Sequence, residues 1–322
     1  MILRDWRDAD PAAVRACYER ERQHWLDGLS WDTTWTWATV EQARFARGLP
    51  GFLATDGAGR VEGWTFYVVD DGIVHIGGLV AHSDAASRAL LDGVLHGSQQ
   101  TGAEATACFV LDRAAGLAAA LEHHRFAVER FHYLSLVLDG SRGLKPPRYE
   151  PSTDDSRSAG ALALACDAWR DGDLEKIAAL LDASYGTDAG RHFAPNGNWE
   201  KYTTGLVEQA GCGVFDTSLT RVVRADAGLH AAVLVTTVSP STAHIAQLAV
   251  HPDCRGRGLA SNLVREAADR SARARKTELT LLVGEHNEQA RRLYASLGFT
   301  HKATFLAARR EESPAARFIA AS

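Results

Sequence analysis

No apolar stretch in this 322-residue chain approaches the ~20 residues needed to cross a bilayer, so no membrane partner is expected. No block of lysine and arginine occurs, and the formal net charge is −5, which argues against nucleic acid as the main partner. No C-x-x-C pair is present. Cys17, Cys108, Cys166, Cys212 and Cys254 are scattered and odd in number, so neither a disulfide framework nor a metal site is indicated. The opening Met1-Ile2-Leu3-Arg4-Asp5-Trp6 does not read as a signal peptide. Together these absences lead us to expect a cytoplasmic, reducing setting.

What is present is enough apolar material for large cores, 46% of residues, at a length that suggests two domains. A repeat supports two. Trp6-Arg7-Asp8-Ala9-Asp10 returns as Trp169-Arg170-Asp171-Gly172-Asp173, each before a helical pattern. Asp10 followed by Pro11 reads as a helix cap, and Asp173 can cap the second copy in the same way. Leu79-Val80-Ala81-His82-Ser83-Asp84 matches Leu248-Ala249-Val250-His251-Pro252-Asp253. Between the copies, residues 141–160 carry prolines, glycines and a polar run, and read as a linker.

In the first copy the patterns predict strands over 51–54, 61–69, 105–111 and 131–138, and helices over 85–100 and 114–124. In the second they predict strands over 161–169, 219–225, 231–238, 244–250, 279–283 and 303–308. The helices there are expected over 174–185, 199–209, 259–273 and 287–297. The periodicity alone says mixed α/β.

The most informative stretch is Val250 to Ala260. A buried-strand pattern enters it, an amphipathic helix leaves it, and Arg255-Gly256-Arg257-Gly258 lies between. Such a strand–turn–helix aims backbone N–H groups at one point, and the helix dipole adds positive potential there. The residue types suit a phosphate or pyrophosphate, although a tight turn with exposed arginines would read the same way.

Arg255-x-x-Gly258-x-Ala260 resembles the pyrophosphate loop of the GNAT superfamily of acyl-CoA-dependent N-acyltransferases. Asn287-x-x-Ala290-x-x-x-Tyr294-x-x-x-Gly298-Phe299 resembles a second segment of that family. The resemblance covers roughly residues 160–310. It implies an α/β fold with a mixed sheet, as two tandem GNAT-like acyl-CoA N-acyltransferase domains. Residues 1–140 would be a degenerate, non-catalytic copy and 161–322 the catalytic domain. Without gaps, Ala86, Ser87 and Ala89 stand where the second copy has Arg255, Gly256 and Gly258, and Ala114 and Leu121 stand where it has Asn287 and Tyr294.

The implied cofactor is acetyl-CoA, as co-substrate. Arg255, Gly256, Arg257, Gly258, Leu259 and Ala260 would hold its pyrophosphate. The backbone of Leu248, Ala249 and Val250 would hold pantetheine and polarise the thioester, and Asn287 would contact the pantetheine arm. Asn287 also reads as a helix cap. Tyr294, a phenol of pKa ~10, can protonate a departing thiolate, and a half-buried packing role is its bland counterpart. For the base, Glu285, His286, His244 and His251 are the candidates, with Glu285 preferred. Cys254 and His251 read better as turn residues.

Asp182, Tyr185, Asp188, Arg191, His192 and Phe193 would line the acceptor pocket. Trp25, Trp31, Trp35 and Trp37 read as core or inter-domain packing. The expected reaction is direct acetyl transfer to a primary amine, on a small molecule or a peptide N-terminus. A homodimer is compatible with the sequence. An acyl-CoA sensor, an O-acyltransferase, a GNAT-fold decarboxylase and a mycothiol-synthase-like enzyme stay open as alternatives.

Overall fold

The computed structural model describes residues 1–113, 116–139, 166–189, 198–209, 212–226 and 228–312, with side chains omitted at 186–189. The expected linker, most of the strand at 161–169, and Arg191, His192 and Phe193 lie outside the described residues. Described residues fall into two compact units. Unit 1 holds Met1–Tyr133, Gly284–His286 and the chain from Lys302. Unit 2 holds Leu134–Val283 and Asn287–His301. The sequence repeat assigns the last strand to the second copy, but from Lys302 onward that strand packs in unit 1.

Unit 1 begins with strand β1 (Ile2–Asp5) and a 3-10 turn at Trp6–Asp8. Helix α1 (Pro11–Leu29) is capped by Asp10, whose side chain accepts the Ala12 N–H, with Pro11 in the first turn. Helix α2 (Thr34–Phe45) follows; its pattern is weak and the sequence reading passes over it. Then come β2 (Gly51–Thr55), β3 (Val61–Asp70), β4 (Ile73–Ala81), α3 (Asp84–Gly97), β5 (Ala105–Leu111) and α4 (Leu117–His123). β6 (Ala127–Val137) changes unit after Tyr133.

In unit 2 the order is β7 (Asp167–Ala168), α5 (Leu174–Ala189), α6 (Trp199–Glu208), β8 (Val214–Phe215), β9 (Arg221–Ala225), β10 (Gly228–Ser239) and β11 (Thr242–Val250). After these come α7 (Leu259–Arg273), β12 (Glu278–Gly284) and α8 (Glu288–Ser296). β13 (Thr300–Glu311) closes the described elements.

Unit 1 has the strand order β1-β2-β3-β4-β5-β13, and unit 2 has β12-β11-β10-β9-β7 with β8 on β10. In each, one parallel pair sits in an otherwise antiparallel sheet: β4 with β5, and β11 with β12. Alternation along β10 divides the core of unit 2. Ala231, Val233 and Val235 pack with α7 residues such as Leu263 and Val264. Ala232 and Leu234 pack with α5 and α6 residues such as Ile177, Leu181 and Leu206. Each fully buried Leu or Val contributes about 1.5–3 kcal/mol.

Unit 1 is built the same way, with a more aromatic face toward α1 and α2. Trp6, fully buried, stacks on Phe66 at 5.4 Å and donates its indole N–H to Leu49 O at 2.8 Å. Trp25 meets Trp31 and Phe305 edge-on at 5.8 and 5.7 Å, and Trp37 stacks on Tyr18. Three of the four singled-out tryptophans are therefore packing residues within the unit. Trp35 departs from that reading, at 81% exposed.

Asp173 also departs from its expected role. It is buried in a 3-10 turn ahead of α5, where it accepts from the Arg170 backbone and from Arg224 Nη1 at 2.6 Å. These partners hold its carboxyl below the usual range against burial, which acts the other way and is the largest single influence. Among the described residues no helix is long and apolar enough to cross a membrane.

Candidate functional site

β11 behaves as an ordinary central strand over only half its length. Thr242–Ile245 pair with Glu278–Leu281 of β12. Against β10 the register then slips: Leu234 faces Gln247 while Val235 faces Ile245, so Ala246 is the extra residue of a β-bulge. Beyond the bulge β11 stays on β10 as far as Val250, but among the described residues it has no further register with β12. The parallel pair opens there.

The His251 N–H donates to His230 O at 2.8 Å, which sets the alternation of the antiparallel ladder. Gln247 and Ala249 turn their backbone groups toward β10, and Leu248 and Val250 turn theirs to the open edge. Two carbonyls on that edge are held from α5. Tyr185 donates its hydroxyl to Leu248 O at 2.9 Å, and Ser184 Oγ donates to Val250 O at 3.2 Å. Of the three residues named from sequence, Leu248 and Val250 therefore present backbone N–H groups to the edge. Ala249 spends its own inside the sheet and buries its side chain.

The loop from His251 to Gly258 begins with a 3-10 turn at Pro252–Cys254. His251 accepts the Asp253 N–H through Nδ1, and Cys254 is buried in the core, so both act as turn residues. Arg255 Nη2 donates to Ser184 O at 2.7 Å and ties the loop to α5. Arg257 Nη2 donates to Asp253 O at 3.2 Å.

Gly256 and Gly258 have φ of 75° and 76°, a region that disfavours any side chain. A Cβ built on either would meet nothing within 4 Å. The glycines thus answer to backbone handedness and leave clear space over the loop. α7 has Gly258 at its N-cap, with no side-chain cap and no acid in its first turn. The amides of Leu259, Ala260 and Ser261 are consequently the uncapped donors of a helix N-terminus, the arrangement that suits an anion. The predicted loop residues are together, and the cradle fits a diphosphate.

Tyr294 is buried on α8, with its ring 5.7 Å from Phe299. Burial raises its phenol well above the ordinary value, and the neighbouring Tyr185 adds to the rise. Tyr185 itself is pushed up to about 12 by burial. The two phenols therefore share one low-dielectric region beside the Leu248 carbonyl. Tyr294 stays protonated through neutral pH, as a proton donor must. Asn287 caps α8, accepting the Ala290 N–H at 3.1 Å, and is exposed.

The base candidates separate. His244 is fully buried with Nδ1 2.9 Å from Thr280 Oγ1, and burial lowers its pKa to about 3, so it is a neutral core residue. Glu285 and His286 are grouped with unit 1. There the Glu285 backbone N–H donates to Arg130 O at 2.8 Å, and its carboxylate lies 4.0 Å from His132 Nε2. The structure does not bring Glu285 together with Tyr294 in one unit.

Sequence reasoning missed Ser184 and Tyr185 as supports of β11; Tyr185 reads only as pocket lining. The side-chain spacing on α5 gives no signal for a contact to a strand carbonyl. Tyr185 does stack on Trp199 at 5.6 Å, and Trp199 meets Tyr202 edge-on at 5.7 Å. Asp182 is exposed on the same helix, and the side chain of Asp188 lies outside the described residues.

Unit 1 contains the counterpart. β4 pairs with β5 over Ile73–Ile76 and Ala105–Cys108, the same four-residue register, and bulges at Gly77. The loop is where the two part. Between β4 and α3 lie only His82 and Ser83. The ungapped alignment of Ala86, Ser87 and Ala89 with the glycine loop is corrected here: all three lie inside α3, because the loop itself is missing. Ser83 caps α3 by accepting the Ala86 N–H at 3.3 Å, and Asp84 adds a carboxylate to the first turn. That carboxylate closes on Gly116, where a Cβ would collide with it. Leu121 is a fully buried core residue, and Ala114 lies outside the described residues.

Residues 176–299 match the family model described as acetyltransferase (GNAT) family. No curated protein matches the chain in sequence. Among solved structures it resembles a GCN5-related N-acetyltransferase from Sphaerobacter thermophilus, with TM-score 0.58 and 16% identity over 81% of this chain and 80% of that one. It also resembles a tandem GNAT protein from the clavulanic acid biosynthesis pathway, with TM-score 0.54 and 19% identity over 83% of each chain. A GCN5-related glucosamine N-acetyltransferase region of a fungal multi-domain protein gives TM-score 0.59 and 14% identity over 96% of this chain and 38% of that one. At these identities the likeness to solved structures is one of fold. The chain has a tandem GNAT fold, and its residues 176–299 are a domain of the acetyltransferase (GNAT) family.

Proposed function

We propose that the second GNAT domain transfers an acetyl group from acetyl-CoA to a primary amine, by direct attack within a ternary complex. The observation that carries this reading is the opened edge of β11 leading into an uncapped helix N-terminus, with a protonated tyrosine beside it. In this reading Arg255 to Ala260 hold the pyrophosphate. The N–H groups of Leu248 and Val250 polarise the thioester carbonyl, and pre-aimed donors of this kind are a large catalytic term. The amine nitrogen attacks the thioester carbon, the C–S bond breaks, and the sulfur takes the Tyr294 proton. Asn287 contacts the pantetheine arm through the part of its amide that does not cap α8.

The unit 1 copy, with its glycine loop missing and its helix capped by Ser83, is non-catalytic in this reading. Glu285 is the group that sequence reasoning offers for taking the amine proton. An unchanged turnover and pH profile in Glu285→Gln would remove it.

The test is calorimetric titration of the full chain with acetyl-CoA, followed by thiol release against a panel of amines, amino acids and peptide N-termini. One site per chain with amine-dependent thiol release is expected. Two sites would show a competent first copy, and binding without release on any amine would point to an acyl-CoA sensor.

A further inference from the structure

We propose that unit 1 carries a separate pocket for a small carboxylate with a short apolar body, independent of any acyl-CoA chemistry in unit 2. The pocket is a cavity of about 100 Å³ opening between α1, β3 and β4. A cavity of ~150 Å³ takes up benzene, so this one suits a body of four to six heavy atoms. Its apolar lining comes from Val61, Trp64 and Val80.

Its polar lining is mostly basic. Arg20, His24, His82 and Arg113 all line it, against a single acid, Glu21. That acid is already committed: Oε2 lies 2.9 Å from Arg113 Nη1, and Oε1 accepts the Trp25 indole N–H at 2.8 Å. Arg113 and Glu21 therefore cancel. Arg20 donates to Cys17 Sγ at 3.5 Å and has no carboxylate partner among the described residues. A guanidinium with no counter-ion at the mouth of an apolar cavity is what a carboxylate recognises.

A second observation points the same way. Trp64 lines this cavity and is 7% exposed, and its indole N–H makes no hydrogen bond among the described residues. Buried donors are almost always satisfied, so an orphan on a cavity-lining side chain is a group that a ligand acceptor could satisfy. His24 is held more neutral than usual, by burial first and then by Arg113. A ligand with one negative end and an apolar body would meet Arg20 and the histidines at the mouth and Trp64 and Val80 within.

The test uses the full chain and butyrate as probe, read through the Trp64 indole ¹⁵N–¹H resonance, which Trp64→Phe assigns. Butyrate should shift that resonance saturably. Arg20→Met, an exposed substitution that keeps the aliphatic stem, should weaken the affinity at least tenfold, and His82→Gln should weaken it less. Butyramide, the uncharged isostere, should not shift it. Butyramide binding as tightly as butyrate, unchanged affinity in Arg20→Met, or no saturable shift with butyrate would each overturn the proposal. Inorganic phosphate binding as well as butyrate would overturn the requirement for an apolar body.

Discussion

The two parallel strand pairs of this chain are near copies up to one point. β4 and β11 pair with β5 and β12 over the same four residues, bulge at the next, and run on past the open edge. After that, β11 enters an eight-position loop, His251 to Gly258, and an uncapped helix. β4 enters a two-position turn and a helix capped by Ser83 with Asp84 behind it. Sheet geometry is shared by both, and an uncapped helix N-terminus after a glycine loop is found in one. A GNAT-like sheet alone therefore supplies no anion site; in the proposed reading the helix N-terminus does, and in the first copy Ser83 already takes the Ala86 N–H there.

The sharpest way to break this comparison is Gly258→Trp. It puts a large side chain at φ of 76° over the proposed diphosphate cradle, so acetyl-CoA affinity should fall more than 100-fold by calorimetry while circular dichroism shows the fold intact. Unchanged affinity would place the cofactor elsewhere. Next is Tyr294→Phe, which should lower kcat by about 100-fold and leave acetyl-CoA affinity within threefold, as expected for loss of a general acid. Because its phenol lies above the ordinary value, the wild-type rate should show no loss of the acid below pH 10.

A smaller effect separates His244 from its register twin His75. His244 pairs with Thr280 on β12, whereas His75 pairs with Ala107 on β5, so only the second copy offers a hydroxyl there. The folded pKa of His244, about 3, lies below the unfolded ~6.5, so the unfolded chain binds the extra proton. Its contribution is fully present above pH 6.5 and is lost as pH falls toward 3. Urea midpoints at pH 7 and pH 4.5 should show this acid destabilisation reduced in His244→Met, by an amount on the order of 1–3 kcal/mol. The smallest expected effect is Ser83→Ala. It should cost about 1 kcal/mol of unit 1 stability by thermal melting and leave acetyl-CoA binding untouched. A gain in binding would mean that the cap alone had closed the first copy.

Much of this was legible in the residues. Helix α7 and strand β5 have the boundaries their patterns predict, because alternating or 3.6-residue apolar spacing reports which face is buried. The glycines of the loop announced themselves because positive φ leaves almost no other choice. Helix α2 was not legible, since its tryptophans and threonines give a weak face, and neither was β8, which is two residues long. The roles of Tyr185 and Ser184 could not be read, because each depends on a carbonyl more than sixty residues away.

The amino-acid order by itself determined the repeat, the glycine turn before α7 and the Asn287–Tyr294 helix. These are local properties, carried by residue type and spacing. Only the tertiary structure decided that Leu248 and Val250, and not Ala249, face the open edge. It alone showed that His244 is a buried core residue, that the Asp84 carboxylate closes on Gly116, and that the last strand packs with unit 1 from Lys302 onward. Each of those outcomes depends on which groups from distant segments meet in space. A ladder's alternation, a buried imidazole's pKa and a strand's partner are set by neighbours that chain order does not name.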